Sequence, residues 1–190
     1  MKKFMMTIAA AVIAVAASAQ VYVGGSVGIA SVKNGAADKT TTAFNIIPEI
    51  GYNLDDAWAL GIKVGYQQGA SLNAVEDMSA NEDVKQFTVE PYARYTFAKL
   101  GPVSVFTDLG FSYQWSQLGV DNDAYKYNTY AIGVKPGVSV NLSKHFSFIA
   151  HAGFLGYKNS KCKLDGSKAN QSYGLDFNAT NLNFGLLYNF

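Results

Sequence analysis

Residues 103–116 read VSVFTDLGFSYQWS, and this stretch decides the fold. Val103, Val105, Leu109, Phe111, Tyr113 and Trp115 fall on alternate positions, with Ser104, Asp108, Gly110, Ser112 and Gln114 between them. A period of two belongs to a strand with one apolar and one polar face; a helix would space its apolar residues by three and four. The run is also long. Ordinary strands average about 5 to 6 residues, whereas a tilted strand needs about 9 to 11 to cross a bilayer.

The same alternation recurs along the chain and predicts eight strands: Val21 to Ser31, Ala43 to Leu54, Trp58 to Gln67, Val84 to Phe97, Val103 to Ser116, Tyr125 to Leu142, Phe146 to Tyr157 and Tyr173 to Phe190. Short turns at Asp55-Asp56-Ala57, Gly101 and Ser143-Lys144-His145 alternate with long polar connections over 32–42, 68–83, 117–124 and 158–172. Strict alternation places all long connections at one end of an up-and-down antiparallel sheet. Aromatic residues gather at both strand ends: Tyr52, Trp58, Tyr95, Phe97 and Phe146 toward the short turns, Tyr66, Tyr113, Trp115, Tyr127 and Tyr173 toward the long ones. Two aromatic belts mark two membrane interfaces. The expected fold is an all-β, eight-stranded, antiparallel up-and-down transmembrane β-barrel, closed because an open edge would leave backbone groups unsatisfied in hydrocarbon. Pro48, Pro91 and Pro136 fall inside these strands, and bulges are expected at each.

Composition agrees. Of 190 residues, 49% are apolar, 14% aromatic and only 15% charged, well under the roughly 25% charged of an ordinary soluble domain. One cysteine, Cys162, excludes an internal disulfide framework, and a formal charge of +1 gives no footprint for nucleic acid. Residues 1–19 read as a cleaved secretory signal: Lys2 and Lys3, an apolar run from Phe4 to Ala17 too short to span, and the small-x-small site Ala17-Ser18-Ala19. The barrel domain is then 20–190.

The signal ending in Ala17-Ser18-Ala19-Gln20, the eight strands and the closing Gly185-Leu186-Leu187-Tyr188-Asn189-Phe190 resemble the small outer-membrane β-barrel domain proteins of the Bacteroidetes type. In shape the chain is similar to OmpX and the OmpA transmembrane domain, and more distantly to OmpW. The resemblance implies the outer membrane as location. It also implies that Gly185, Tyr188 and Phe190 act as the signal read by the barrel-assembly machinery, although Phe184 stands where that pattern prefers a polar residue. It carries no single activity.

The polar faces place Glu49, Lys63, Glu90, Arg94, Asp108 and Lys135 in the lumen, three acids and three bases. Turns centred on Asp56 and Gly101 set Glu49 opposite Lys63 and Arg94 opposite Asp108, leaving Glu90 and Lys135 to meet across the lumen or through water. Such paired charges fill a narrow barrel, since eight strands leave room only for side chains; the other reading is a gated polar pore. His145-Phe146-Ser147 has the His-x-Ser spacing used by lipid A deacylase barrels, but it sits in a short turn, away from the outer leaflet. His151 points inward as a packing residue. No metal cluster, nucleophile elbow or phosphate loop is legible, so neither catalysis nor a cofactor is expected. Glu76, Asp77, Glu82 and Asp83 make one long connection acidic; Lys158, Lys161, Lys163 and Lys168 make another basic, suited to the phosphates of lipopolysaccharide.

The expectation is therefore a monomeric, non-catalytic barrel in the outer-membrane lipids, serving surface structure, adhesion or envelope integrity. An OmpW-like passage for small apolar molecules would need an apolar lumen. A secreted lipocalin-like barrel would need its apolar face inside and a charged exterior.

Overall fold

A computed structural model describes residues 20–34, 39–69, 84–118, 125–163, 168–176 and 183–190. The expected signal over 1–19 and the acidic Glu76, Asp77, Glu82 and Asp83 lie outside the described residues. Ten strands follow one another: β1 (Val21–Asn34), β2 (Lys39–Asn53), β3 (Trp58–Gly69), β4 (Val84–Leu100), β5 (Val103–Leu118), β6 (Tyr125–Asn141), β7 (Phe146–His151), β8 (Phe154–Cys162), β9 (Asn170–Asp176) and β10 (Asn183–Asn189). β7 and β8 form one pass, as do β9 and β10, so there are eight antiparallel passes. Tyr22–Gly25 of β1 pair with Asn189–Leu186 of β10 and close the barrel.

The apolar face points out, which overturns the lipocalin-like alternative. Leu60, Ile62, Phe111, Ile132, Leu155, Phe184 and Leu186 are all well exposed. Hydrocarbon, not water, is the solvent that suits them. On β3 the lipid-facing row runs from Trp58 to Tyr66, about 27 Å of strand and roughly 21 Å of membrane normal at a tilt near 40°. Trp58 lies 4.7 Å from Tyr95, and Tyr113 lies 5.0 Å from Tyr130, between ring centroids. Tyr127 departs from the expected belt: it shares the inward face of Thr129 and Ala131.

Inside, aromatic rings lie across cross-strand glycines. Tyr22 faces Gly51, Tyr92 faces Gly61, and Phe106 faces Gly137. A methyl on Gly51 would come within 2.1 Å of Tyr22 Cζ, and one on Gly61 within 2.4 Å of the Tyr92 hydroxyl. The small residue on one strand is what lets the large one lie flat over it.

The prolines are handled in two ways. At Pro136 there is a bulge, as expected. Gly137 pairs with His151, but Val134 pairs with Leu155, so Ala152–Phe154 place one extra residue against Lys135 and Pro136. Gly153 takes φ +75°, open to glycine at little cost, and the Ala152 N–H donates to the Pro136 carbonyl at 3.0 Å. At Pro48 and Pro91 no bulge forms. The ladder opens beside each and resumes in the same register: Ile46↔Tyr66 then Glu49↔Lys63, and Val89↔Tyr113 then Tyr92↔Gly110. Each proline stays paired on its other side, to Gly25 and to Ile62. The missing N–H thus falls where the ladder is already open.

The bulge has a second effect. Period two carried through from Phe146 would leave Phe154 facing lipid. The extra residue turns Phe154 inward, against Gly133 and Gly156, and brings Leu155 and Tyr157 to the outer face. Turn chemistry fixes the other ends. Asp55 Oδ1 accepts from the N–H of Ala57 and of Trp58, both at 2.7 Å, and these donors hold its carboxyl below the usual carboxylate range.

Candidate functional site

All six sequence-predicted lumen charges face inward, but they do not all pair as expected. Arg94 and Asp108 are cross-strand neighbours, and Arg94 grips Asp108 with two prongs, Nε to Oδ1 at 2.7 Å and Nη2 to Oδ2 at 2.9 Å. Glu49 and Lys63 are also opposed in the ladder. Their charges nevertheless go elsewhere, which corrects that expected pair. Lys63 Nζ donates to Asp108 Oδ2 at 2.8 Å, and Glu49 accepts from Arg94 Nη2 at 3.1 Å and from the Tyr92 hydroxyl. Cross-strand register fixes which residues stand level; a long lysine chain then reaches over Tyr92 of the intervening strand to the most buried carboxylate. Glu90 and Lys135 meet directly at 2.5 Å, reaching over Gly110 of the intervening strand, which has no side chain in the way.

Three further residues join this brace. His151 Nε2 lies 2.8 Å from Asp108 Oδ2, and its ring meets the edge of Phe106 at 5.3 Å. The Tyr22 hydroxyl lies 2.7 Å from that of Tyr92, which is itself bonded to Glu49. Arg94 is stacked over Phe106, with Cζ 4.2 Å from the ring centroid. Asp108 is fully buried and Arg94, Glu49 and Tyr22 nearly so. Charges this buried are tolerable only when paired and hydrogen-bonded, and each of these is. Alternation put Tyr22 and His151 on the inner face, but alternation says nothing about depth, so their place in the brace was not legible.

The brace divides the lumen. On the long-connection side a space of about 440 Å³ is lined by polar side chains including Gln67, Gln86, Gln114, Lys135 and Asn183. On the short-turn side one of about 600 Å³ is lined by Asn53, Thr96, Ser104, Asn141 and Asn189 among others. The upper space also has Ile47, Ile149 and Phe154 in its wall, whereas the lower one is mainly polar.

His145 and Ser147 point apart. The His145 ring stacks on Tyr188 at 5.6 Å and its Nδ1 lies 2.9 Å from the Asn189 carbonyl oxygen, while Ser147 is buried on the inner face and bonds Asn141 at 2.9 Å and Asn189 at 3.0 Å. Among the described residues no cluster of His, Cys, Asp and Glu could hold a metal ion. Of the terminal signal residues, Gly185 is buried against the Gly25 carbonyl at the seam, and Tyr188 packs on the outside between Phe146 and Phe190.

The four basic-loop lysines separate, against expectation. β8 runs through Cys162, so Lys158 and Lys161 belong to a strand. Lys158 pairs with inward Ala131 and lines the upper lumen; Lys161 pairs with Asn128 on the outer face. Lys163 and Lys168 are exposed beyond the strand.

Residues 4–190 match the family described as outer membrane protein beta-barrel domain. No curated protein matches the sequence. Among solved structures, the chain is similar to Neisserial surface protein A, at 18% identity and a TM-score of 0.53, covering 91% of this chain and 98% of that one. It is also similar to the N-terminal β-barrel domain of Pseudomonas aeruginosa OprF, at 14% identity and a TM-score of 0.54, again covering 91% and 98%. At these identities the likeness is one of fold.

Proposed function

The chain belongs to the outer-membrane protein β-barrel domain family and resides in the outer membrane, and from that premise we propose that it is a non-catalytic, monomeric barrel that serves envelope integrity and surface structure, with its long connections facing outward. The observation that carries this reading is the brace. Glu49, Tyr92, Arg94, Asp108, Lys63 and His151 form one hydrogen-bonded layer across the lumen. That layer spends the charged groups of the lumen on one another, which supports a braced and plugged interior. Gly185, Tyr188 and Phe190 are proposed as the mark read by the barrel-assembly machinery during insertion.

Planar-bilayer recording of the refolded barrel tests the plugged lumen. The expected result is no steady conductance; persistent nanosiemens channels would overturn it in favour of a pore. Surface proteolysis of intact cells tests the orientation, with cleavage expected in the long connections and not in the short turns.

A further inference from the structure

We propose that three lysines on the outer wall, Lys126, Lys161 and Lys163, form a docking surface for the phosphates of lipopolysaccharide. The inference rests on the orientation just proposed, with the long connections in the outer leaflet.

The placement follows from the register. Lys85, Gln117 and Lys126 stand level on β4, β5 and β6, and the Lys163 N–H donates to the Lys126 carbonyl at 2.8 Å, which puts Lys163 beside Lys126 on the same row. The next row toward the turns is Tyr66, Phe87, Trp115, Asn128 and Lys161. Lys126 shares its face with exposed Tyr130 and Ile132, and Lys161 with exposed Tyr157 and Leu155, so both point away from the lumen. A step of two residues along a tilted strand raises the lysine row by about 5 Å above the aromatic row. Headgroups occupy about 5 to 8 Å beyond the hydrocarbon. The ammonium groups of Lys126 and Lys163 therefore stand at headgroup depth, and the long side chain of Lys161, rooted in the aromatic row below, reaches up toward them.

The charge arrangement calls for an anion. Lys126 and Lys163 are opposed across two strands, and Lys161 follows two residues along. Directly opposed like charges are unfavourable unless something neutralises them. The outward faces of β3 to β8 carry no carboxylate among the described residues, and none of the three lysines has an ion-pair partner there. Asn128 lies between Trp115 and Lys161 in the aromatic row, its Oδ1 buried and unpartnered among the described residues. Two lysines at headgroup depth with a third just below suit a doubly phosphorylated sugar better than a single phosphodiester.

The test uses the full barrel in zwitterionic detergent, titrated with bis-phosphorylated lipid A, its dephosphorylated form and phosphatidylglycerol, and read by native mass spectrometry. The phosphorylated glycolipid is expected to bind at least about tenfold tighter than either other lipid. The triple variant Lys126→Gln, Lys161→Gln, Lys163→Gln should lose that preference while keeping its heat-modifiable migration in SDS gels, and Lys161→Gln alone should lose part of it. Lys144→Gln, at the opposite end, should keep it. Equal binding of the dephosphorylated lipid, equal binding of phosphatidylglycerol, displacement by millimolar inorganic phosphate, or an unchanged triple variant would each overturn the proposal. Binding to purified protein does not depend on orientation in the cell, so surface proteolysis fails or succeeds separately.

Discussion

Asp108 accepts from Lys63, Arg94 and His151 while wholly shielded from solvent. Asp108→Asn leaves two cations in a low-dielectric interior with too little opposing charge, and removing one partner of a buried pair costs about 3–5 kcal/mol. Urea unfolding in vesicles should show that loss. Glu90→Gln should cost about 1 kcal/mol, because the Lys135 side chain is 30% exposed and can turn to water. The glycines under the tyrosines make a second prediction. Gly51→Ala or Gly61→Ala should destabilise by about 1–3 kcal/mol through overpacking, whereas Gly65→Ala, whose nearest neighbour would lie at 3.5 Å, should be nearly neutral in the same assay. At this scale the sequence revealed the inner face of all six central charges and the Arg94–Asp108 and Glu90–Lys135 partners, but not where Lys63 and Glu49 turn, nor that Lys158 lines the lumen. Face is set by parity; partnership is set by depth and side-chain reach, which parity does not encode.

Elements were legible to within a few residues; the bulge at Phe97 was not, and the expected one opposite Pro136 was read without its effect on the face of Phe154. The second hairpin is instructive. Arg94 was set opposite Asp108 by a turn centred on Gly101, but the strands meet at Leu100↔Val103 around a two-residue turn, and a bulge at Phe97 shifts the register back by one. Two departures from the simple picture cancel. At β7–β8 nothing cancels the extra residue, so alternation misplaced Phe154. The bulge predicts an asymmetry between indels. Deleting Ala152 removes the extra residue and leaves Phe154 inward and Leu155 outward, so a folded, heat-modifiable barrel is expected with modest loss of stability. Inserting one alanine after Leu155, beyond the bulge, turns Tyr157 and the residues after it to the opposite face, and the folded band should disappear from the gel.

For the whole molecule, closure rests on the seam of Tyr22–Gly25 with Leu186–Asn189. A methyl on Gly24 would lie 2.0 Å from the Leu186 carbonyl oxygen, a backbone atom that cannot move aside. Gly24→Val should block closure and abolish heat-modifiable migration and resistance to protease in vesicles. The apolar exterior, the closed topology and the membrane location followed from period two and loop alternation, because a bilayer allows few solutions.

The brace is also unevenly shared between the two halves of the chain. Tyr22, Glu49, Lys63, Tyr92, Arg94 and Asp108 all come from β1 to β5, whereas β6 to β10 contribute His151 and Lys135, beside small inner residues such as Ala131, Gly133 and Gly137 and larger ones such as Ile149, Phe154 and Leu187. One half carries most of the charge network; the other packs against it and brings Lys135 to Glu90. A barrel of this kind is suited to fragment complementation. Split between β5 and β6, its first piece holds the counter-ions of Glu49, Lys63, Arg94 and Asp108, while Glu90 takes Lys135 from the second, which also supplies lipid-facing surface and the seam.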